Sequence, residues 1–168
     1  MGEVGCSNDG KFQNLRVEGI PVFTSGLKGI GGGGIIIGGG IGLIADGETP
    51  TITAALMLDN SVLNYESGTD VTGALWDTGT NIDTALRARG IVPAVGMSFD
   101  VYVNNSDATV FIWGSLADTG ITSKSGAATD AACQLPVAAA GLSGCGHFRF
   151  VRTAANTYDL YNLGMAAN

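Results

Sequence analysis

Residues 95–114 read VGMSFDVYVNNSDATVFIWG. Phe99, Val101 and Val103 alternate with Asp100 and Tyr102, the period of a strand with one covered face. Asn104, Asn105, Ser106 and Asp107 are turn residues. Residues 109–113 then return, with Val110 and Ile112 on one face and Phe111 and Trp113 on the other. The pattern predicts a hairpin. Its return strand is apolar on both faces, so an opposing sheet should cover one side and a loop or a partner the other.

The same period continues outward in both directions. Residues 143–153 alternate through Phe148 and Phe150, 154–156 turn, and 157–163 set Tyr158 and Leu160 against Tyr161 and Leu163. Residues 134–138 hold Pro136 and read as an edge strand. Residues 114–132 are small and polar, fitting two weak strands or a long loop. Upstream, residues 51–58 are β-rich at their start, 59–61 carry a turn signal, and 62–65 form a further short strand. One helix is predicted over 82–88. Thr80 or Asn81 caps it, Asp83 favours its positive end, Ile82, Ala85 and Leu86 share a face, and Arg87 and Arg89 suit its negative end. Gly90 stops it and Pro93 blocks continuation. About eight strands and one short helix predict an all-β body, an antiparallel β-sandwich or jelly roll.

The first 47 residues have another character. Residues 11–23 alternate weakly around Val17, Ile20 and Phe23, and Pro21 makes them an edge strand or an extended strip. Residues 29–45 contain only glycine, isoleucine, leucine and one alanine. Such a run can approach another backbone closely, but ordering it costs more entropy than ordering any other composition. We therefore expect residues 1–47 to be an extended arm that becomes ordered against a neighbour, and 48–168 to be the body. The side chains expected to make that contact are Val17, Ile20, Phe23, Ile30, Ile35, Ile36, Ile37, Ile41 and Ile44.

The chain has 168 residues, enough for one domain with a real core, and is 45% hydrophobic but only 14% charged. Little charge with this much apolar surface points to cover by other molecules, identical subunits first. The formal charge of −7 lies wholly beyond residue 28, where twelve acids face five basic residues. An acidic body without clustered Lys or Arg disfavours nucleic acid. The Gly/Ile run is too rich in glycine to read as a membrane span. Residues 1–10 lack the apolar stretch of a signal peptide. Cys6, Cys133 and Cys145 make an odd number without a CxxC motif, which fits a reducing compartment. Cys133 and Cys145 could bridge neighbouring strands, against the simpler reading of small buried hydrophobes.

Candidate chemistry is sparse. Gly29, Gly31 and Gly34 match GxGxxG, but in this run the match is nearly automatic and no helix can start there. His147 is the single histidine, and its neighbour Ser143 lies along the same predicted strand, which does not give a triad geometry. The acids are scattered singly, without a calcium-loop spacing. No catalytic residue, cofactor or metal is expected. Trp76 and Trp113 suit a sugar-stacking platform in one reading and a core or subunit contact in the other, favoured one.

The order of these segments resembles the small jelly-roll decoration and head-fibre proteins of tailed bacteriophages. The resemblance is carried by ADGETPTITAALML, the helix in TNIDTALRARG, then VGMSFDVYVNNSDATVFIWG, a small-residue stretch, and GHFRFVRTAANTYDLYNLG. It covers residues 45–163 and leaves out the arm. It implies a non-enzymatic virion structural protein, a homotrimer that cements or decorates the outer capsid surface after assembly in the host cytoplasm. The implied partners are the major capsid protein and sister subunits, with neither nucleic acid nor membrane. The alternative on the same fold is a receptor- or glycan-binding fibre head with Trp76 or Trp113 exposed in a groove.

Overall fold

Ser98–Asn105 forms a strand, but it does not pair with the strand that follows it. The computed structural model describes residues 40–106, 109–115, 117–124, 134–135 and 144–167. In chain order these form β1 (Gly40–Leu43), β2 (Thr51–Ile52), α1 (Ala54–Asp59), β3 (Asn60–Tyr65), β4 (Val71–Trp76) and α2 (Gly79–Ala88). There follow β5 (Ser98–Asn105), β6 (Phe111–Trp113), β7 (Ile121–Ser123), β8 (Gln134–Leu135), β9 (Gly144–Ala154) and β10 (Thr157–Ala167). One sheet has the order β1-β3-β5-β9-β10-β7 and the other β2-β4-β6-β8.

The chain is mostly β, as its alternation predicts, but the sheets are mixed rather than antiparallel. From β1 to β6 successive strands fall in alternate sheets, so neighbours within a sheet are separated by a full turn of the chain. They therefore run parallel: β1 with β3, β3 with β5, β2 with β4 and β4 with β6. The pairs β1/β2, β3/β4 and β5/β6 are rungs of one flattened coil. Antiparallel pairing enters with the hairpin β9–β10, which adds β9 to β5, and with β8, which closes on β6.

The predicted hairpin is instead a crossing between sheets, and its hydrogen bonds say why. Ser106 N donates to Tyr65 O at 3.0 Å, Thr109 Oγ1 to Ser67 O at 3.3 Å, and Val110 N to Asp70 Oδ1 at 2.9 Å. The connector thus lies on the one before it. Asn105, fully buried, donates through Nδ2 to Thr109 O at 2.8 Å and bends the chain. Turn residues mark a change of direction; they do not say which sheet receives the next strand.

Two helices are present among the described residues, where one was expected. Residues 54–59 are helical because Thr53 caps them, accepting from Leu56 N at 3.2 Å, and Asp77 Oδ2 accepts from Ala54 N at 2.8 Å. Ala-Ala-Leu-Met-Leu are strong helix formers, and the β-rich part ends at Ile52. Residues 59–61 are accordingly a helix-to-strand junction, not a turn: Asn60 Nδ2 donates to Leu56 O at 3.0 Å. The second helix starts earlier than predicted, with Thr78 as its cap, and buries Ile82, Asp83 and Leu86 on one side. Gly90, at φ +74°, ends it. Each helix follows a strand of the four-stranded sheet and a capping threonine and precedes a strand of the six-stranded sheet. The unit β–Thr–α–β therefore occurs twice, stacked, with Arg89 of the second holding Asp59 of the first at 2.6 Å.

Between the sheets lies an aromatic core. Trp76 stacks on Trp113 at 5.6 Å, both meet Phe148 across the core at 5.2 and 4.8 Å, and Phe99 stacks on Phe150 at 5.0 Å. Ile52, Met57, Leu58, Leu63, Ile82 and Leu86 complete it from the helices and the flanking strands.

Candidate functional site: the outer face of the six-stranded sheet

Strand alternation that sends Phe99, Val101 and Val103 into this core must send Ser98, Asp100, Tyr102 and Asn104 outward. Pairing then aligns outward residues into rows that no single strand reveals. One row runs Ile41, Val62, Tyr102, His147 across β1, β3, β5 and β9. The next runs Leu43, Asn64, Asn104, Cys145, where Asn104 Nδ2 donates to Asn64 Oδ1 at 2.8 Å. Another aligns Asp100, Arg149 and Tyr161. In β10 the pairing shifts between Asn162 and Gly164, and the extra residue, Leu163, is exposed.

Tyr102 and His147 are stacked, ring centres 4.3 Å apart and planes within 13°. Asp100 lies beside them, gripped by Arg149 through two bonds, Nε to Oδ1 at 2.6 Å and Nη2 to Oδ2 at 2.8 Å. That fork holds its carboxyl below the ordinary carboxylate range, with His147 adding to the effect, while Asp100 in turn raises the Arg149 guanidinium. His147 Nε2 stands 3.2 Å from Asp100 Oδ2, an ion-pair distance without the alignment of a hydrogen bond. With both oxygens in the Arg149 fork, Asp100 remains an anion. The set is an aromatic stack flanked by a compensated charge pair. Farther along, Lys124 Nζ meets Asp159 Oδ1 at 3.4 Å.

Of the residues expected to make contacts, Ile41 lies on this face and is 71% exposed. Ile44 does not: it is 6% exposed, part of the core, and its N–H donates to Asn64 O at 2.9 Å. Residues 40–43 of the stretch read as an arm are the edge strand β1. Val17, Ile20, Phe23, Ile30, Ile35, Ile36 and Ile37 lie outside the described residues, as does Cys133. Cys145 is a free, half-buried thiol.

Trp76 and Trp113 are fully buried in the aromatic core, so the exposed groove required of a glycan platform is not where they lie. Both face inward because β4 and β6 are parallel neighbours that turn the same side to the six-stranded sheet. Among the described residues, no three His, Cys, Asp or Glu side chains are grouped to hold a metal ion. None of the described helices is long and apolar enough to cross a membrane.

Comparison of the chain with family models, with curated proteins and with solved structures finds no match.

The Asp100–Arg149 pair and the Tyr102–His147 stack were not foreseen as a unit. Alternation already put Asp100 and Tyr102 opposite Val101, and Arg149 between Phe148 and Phe150. The register between β5 and β9, which brings together pairs 45 (Tyr102 and His147) and 49 (Asp100 and Arg149) residues apart, was missing.

Proposed function

We propose that this is a non-enzymatic structural protein of a virion, which associates with copies of itself, as a homotrimer, and decorates the outside of a bacteriophage capsid. The observation that supports protein contact in this reading is the outer face of the six-stranded sheet. It is broad and preorganised, with Ile41, Tyr102, Tyr161 and Leu163 exposed and its charges paired within the face, on a chain of −7. Such a surface suits contact with another protein better than capture of a small molecule, which needs a concave site. The two-sheet body is taken as a variant of the jelly-roll sandwich, wound with parallel rungs.

In this proposal residues 1–39 reach the major capsid protein or a sister subunit. They lead directly into β1, which among the described residues is the edge of the six-stranded sheet, and the outer backbone groups of an edge strand are a template for strand addition. Several isoleucines, each worth about 1.5–3 kcal/mol when buried, would offset the ordering of the glycines.

The test compares the full chain with a variant lacking residues 1–39 on capsid shells that lack the protein. The cut spares β1 and Ile44, so every core residue among the described residues is kept. The full chain is expected to coat the shells and the variant to bind at least tenfold more weakly. No binding by the full chain would overturn the decoration reading; equal binding by both would remove the arm from it.

A further inference from the structure

We propose that the outer face of the six-stranded sheet is the surface on which a second copy of this chain packs; the inference rests on the self-association reading above and locates its contact. The first support is electrostatic. Two like-charged molecules of −7 repel, and a face whose charges cancel within each molecule adds least to that repulsion. This face meets that condition: Asp100 is matched by Arg149 and Asp159 by Lys124, each within the same molecule. Glu66 stands at its rim, accepting from Asn64 Nδ2.

The second support is composition and rigidity. The row Ile41, Val62, Tyr102 and His147, with Tyr161 and Leu163 beyond it, places large apolar and aromatic side chains on strands whose backbones are already paired. The Tyr102–His147 stack and the Arg149 fork are formed before association, so little side-chain freedom is lost when the face is covered. Tyrosine-rich rigid surfaces give much contact area at low entropy cost.

The third support is size. Six strands at about 4.8 Å spacing span roughly 24 Å, and an eight-residue strand such as β5 is about 26 Å long. The projected face is roughly 600 Å² before side-chain relief is added, close to the ~800 Å² per partner of a stable interface.

Sedimentation of the full chain and of the variants Tyr102→Glu, Leu163→Glu and Val92→Glu tests the assignment. Val92 is exposed on the loop after α2 and serves as the control. Native protein is expected to sediment as an oligomer at micromolar concentration, as is Val92→Glu. Tyr102→Glu and Leu163→Glu should weaken association at least a hundredfold and yield a 17.0 kDa species. Emission from the buried Trp76–Trp113 pair reports whether each variant is folded, and Leu163→Glu, at the bulge, keeps the test open should Tyr102→Glu not fold. Folded variants that associate like the native chain would overturn the face while leaving self-association intact. A native chain that stays monomeric would overturn both, and shell binding would then be judged by the arm experiment alone.

Discussion

Arg152 on β9 grips Asp83 on α2 through two bonds, Nε to Oδ1 at 2.9 Å and Nη2 to Oδ2 at 2.7 Å, with both side chains buried. Asp83 also accepts from Tyr158 Oη at 2.6 Å and from Asn156 N at 3.1 Å. One carboxylate thus ties the second helix to both strands of the β9–β10 hairpin and to the turn between them. Burial, then its bond to Asp83, pushes the Tyr158 phenol well above its ordinary range. By sequence alone Asp83 is a solvated charge near a helix start; in the fold it is the pin between the coil and its closing hairpin.

Removing one partner leaves the other buried and unpaired. Asp83→Ala is expected to destabilise the protein by about 3–5 kcal/mol, read as a lower urea midpoint. Replacing the pair together, Asp83→Leu with Arg152→Met, should recover much of that loss. A single variant that melts like the native chain would show the pin to be dispensable.

The same carboxylate makes stability depend on pH. Asp83 is held at about 2, against 3.8 for the ordinary group, chiefly by the Arg152 hydrogen bonds, with Tyr158 and Asn156 N–H adding to them. Its folded value is depressed, so its stabilisation is complete above the unfolded value and disappears as pH falls from about 4 to about 2. The loss amounts to about 2 kcal/mol. Chemical melts of native protein and Asp83→Asn between pH 2 and 6 should converge at the acid end; parallel curves would refute the linkage.

Gly79 and Gly120 enclose the carbonyl of Asn156 at the hairpin turn. A Cβ on Gly79 would stand 2.2 Å from that oxygen, and one on Gly120 2.3 Å from it, both on backbone that cannot step aside. Helix propensity alone favours alanine over glycine by up to about 1 kcal/mol. Gly79→Ala should nevertheless lower the thermal midpoint by several degrees. Gly68→Ala, with nothing within 4 Å, should leave it nearly unchanged.

Trp76 touches Trp113, Phe148 and Phe150, so truncation opens a cavity between the sheets. Trp76→Ala is expected to cost about 3–5 kcal/mol. Because both indoles are enclosed, titrating the native protein with glycans should leave tryptophan emission unchanged. A saturable shift in emission would revive the sugar-binding alternative.

Alternation in residues 98–103, 144–153 and 157–163 by itself determined that the chain is mostly β and which side chains face inward. Phe99, Val101, Val103, Phe148, Phe150, Tyr158 and Leu160 are all in the core. Side-chain direction along a strand depends only on local backbone geometry, so it is written in the local sequence. Helix α2 was legible for the same reason, through its face and its Gly90 stop. Helix α1 was not, because the capping threonine sat in a β-rich context and its second cap, Asp77, comes from more than 20 residues away.

Tertiary structure alone decided the pairing. Whether residues 104–110 turn back within one sheet or cross to the other depends on the bonds of Ser106, Thr109 and Val110 to the preceding connector, a long-range choice that turn residues leave open. The parallel coil, the burial of Asp83 and the outer rows of the six-stranded sheet are long-range choices of the same kind. Each requires register between distant strands, and a period-two pattern carries no record of which partner stands opposite.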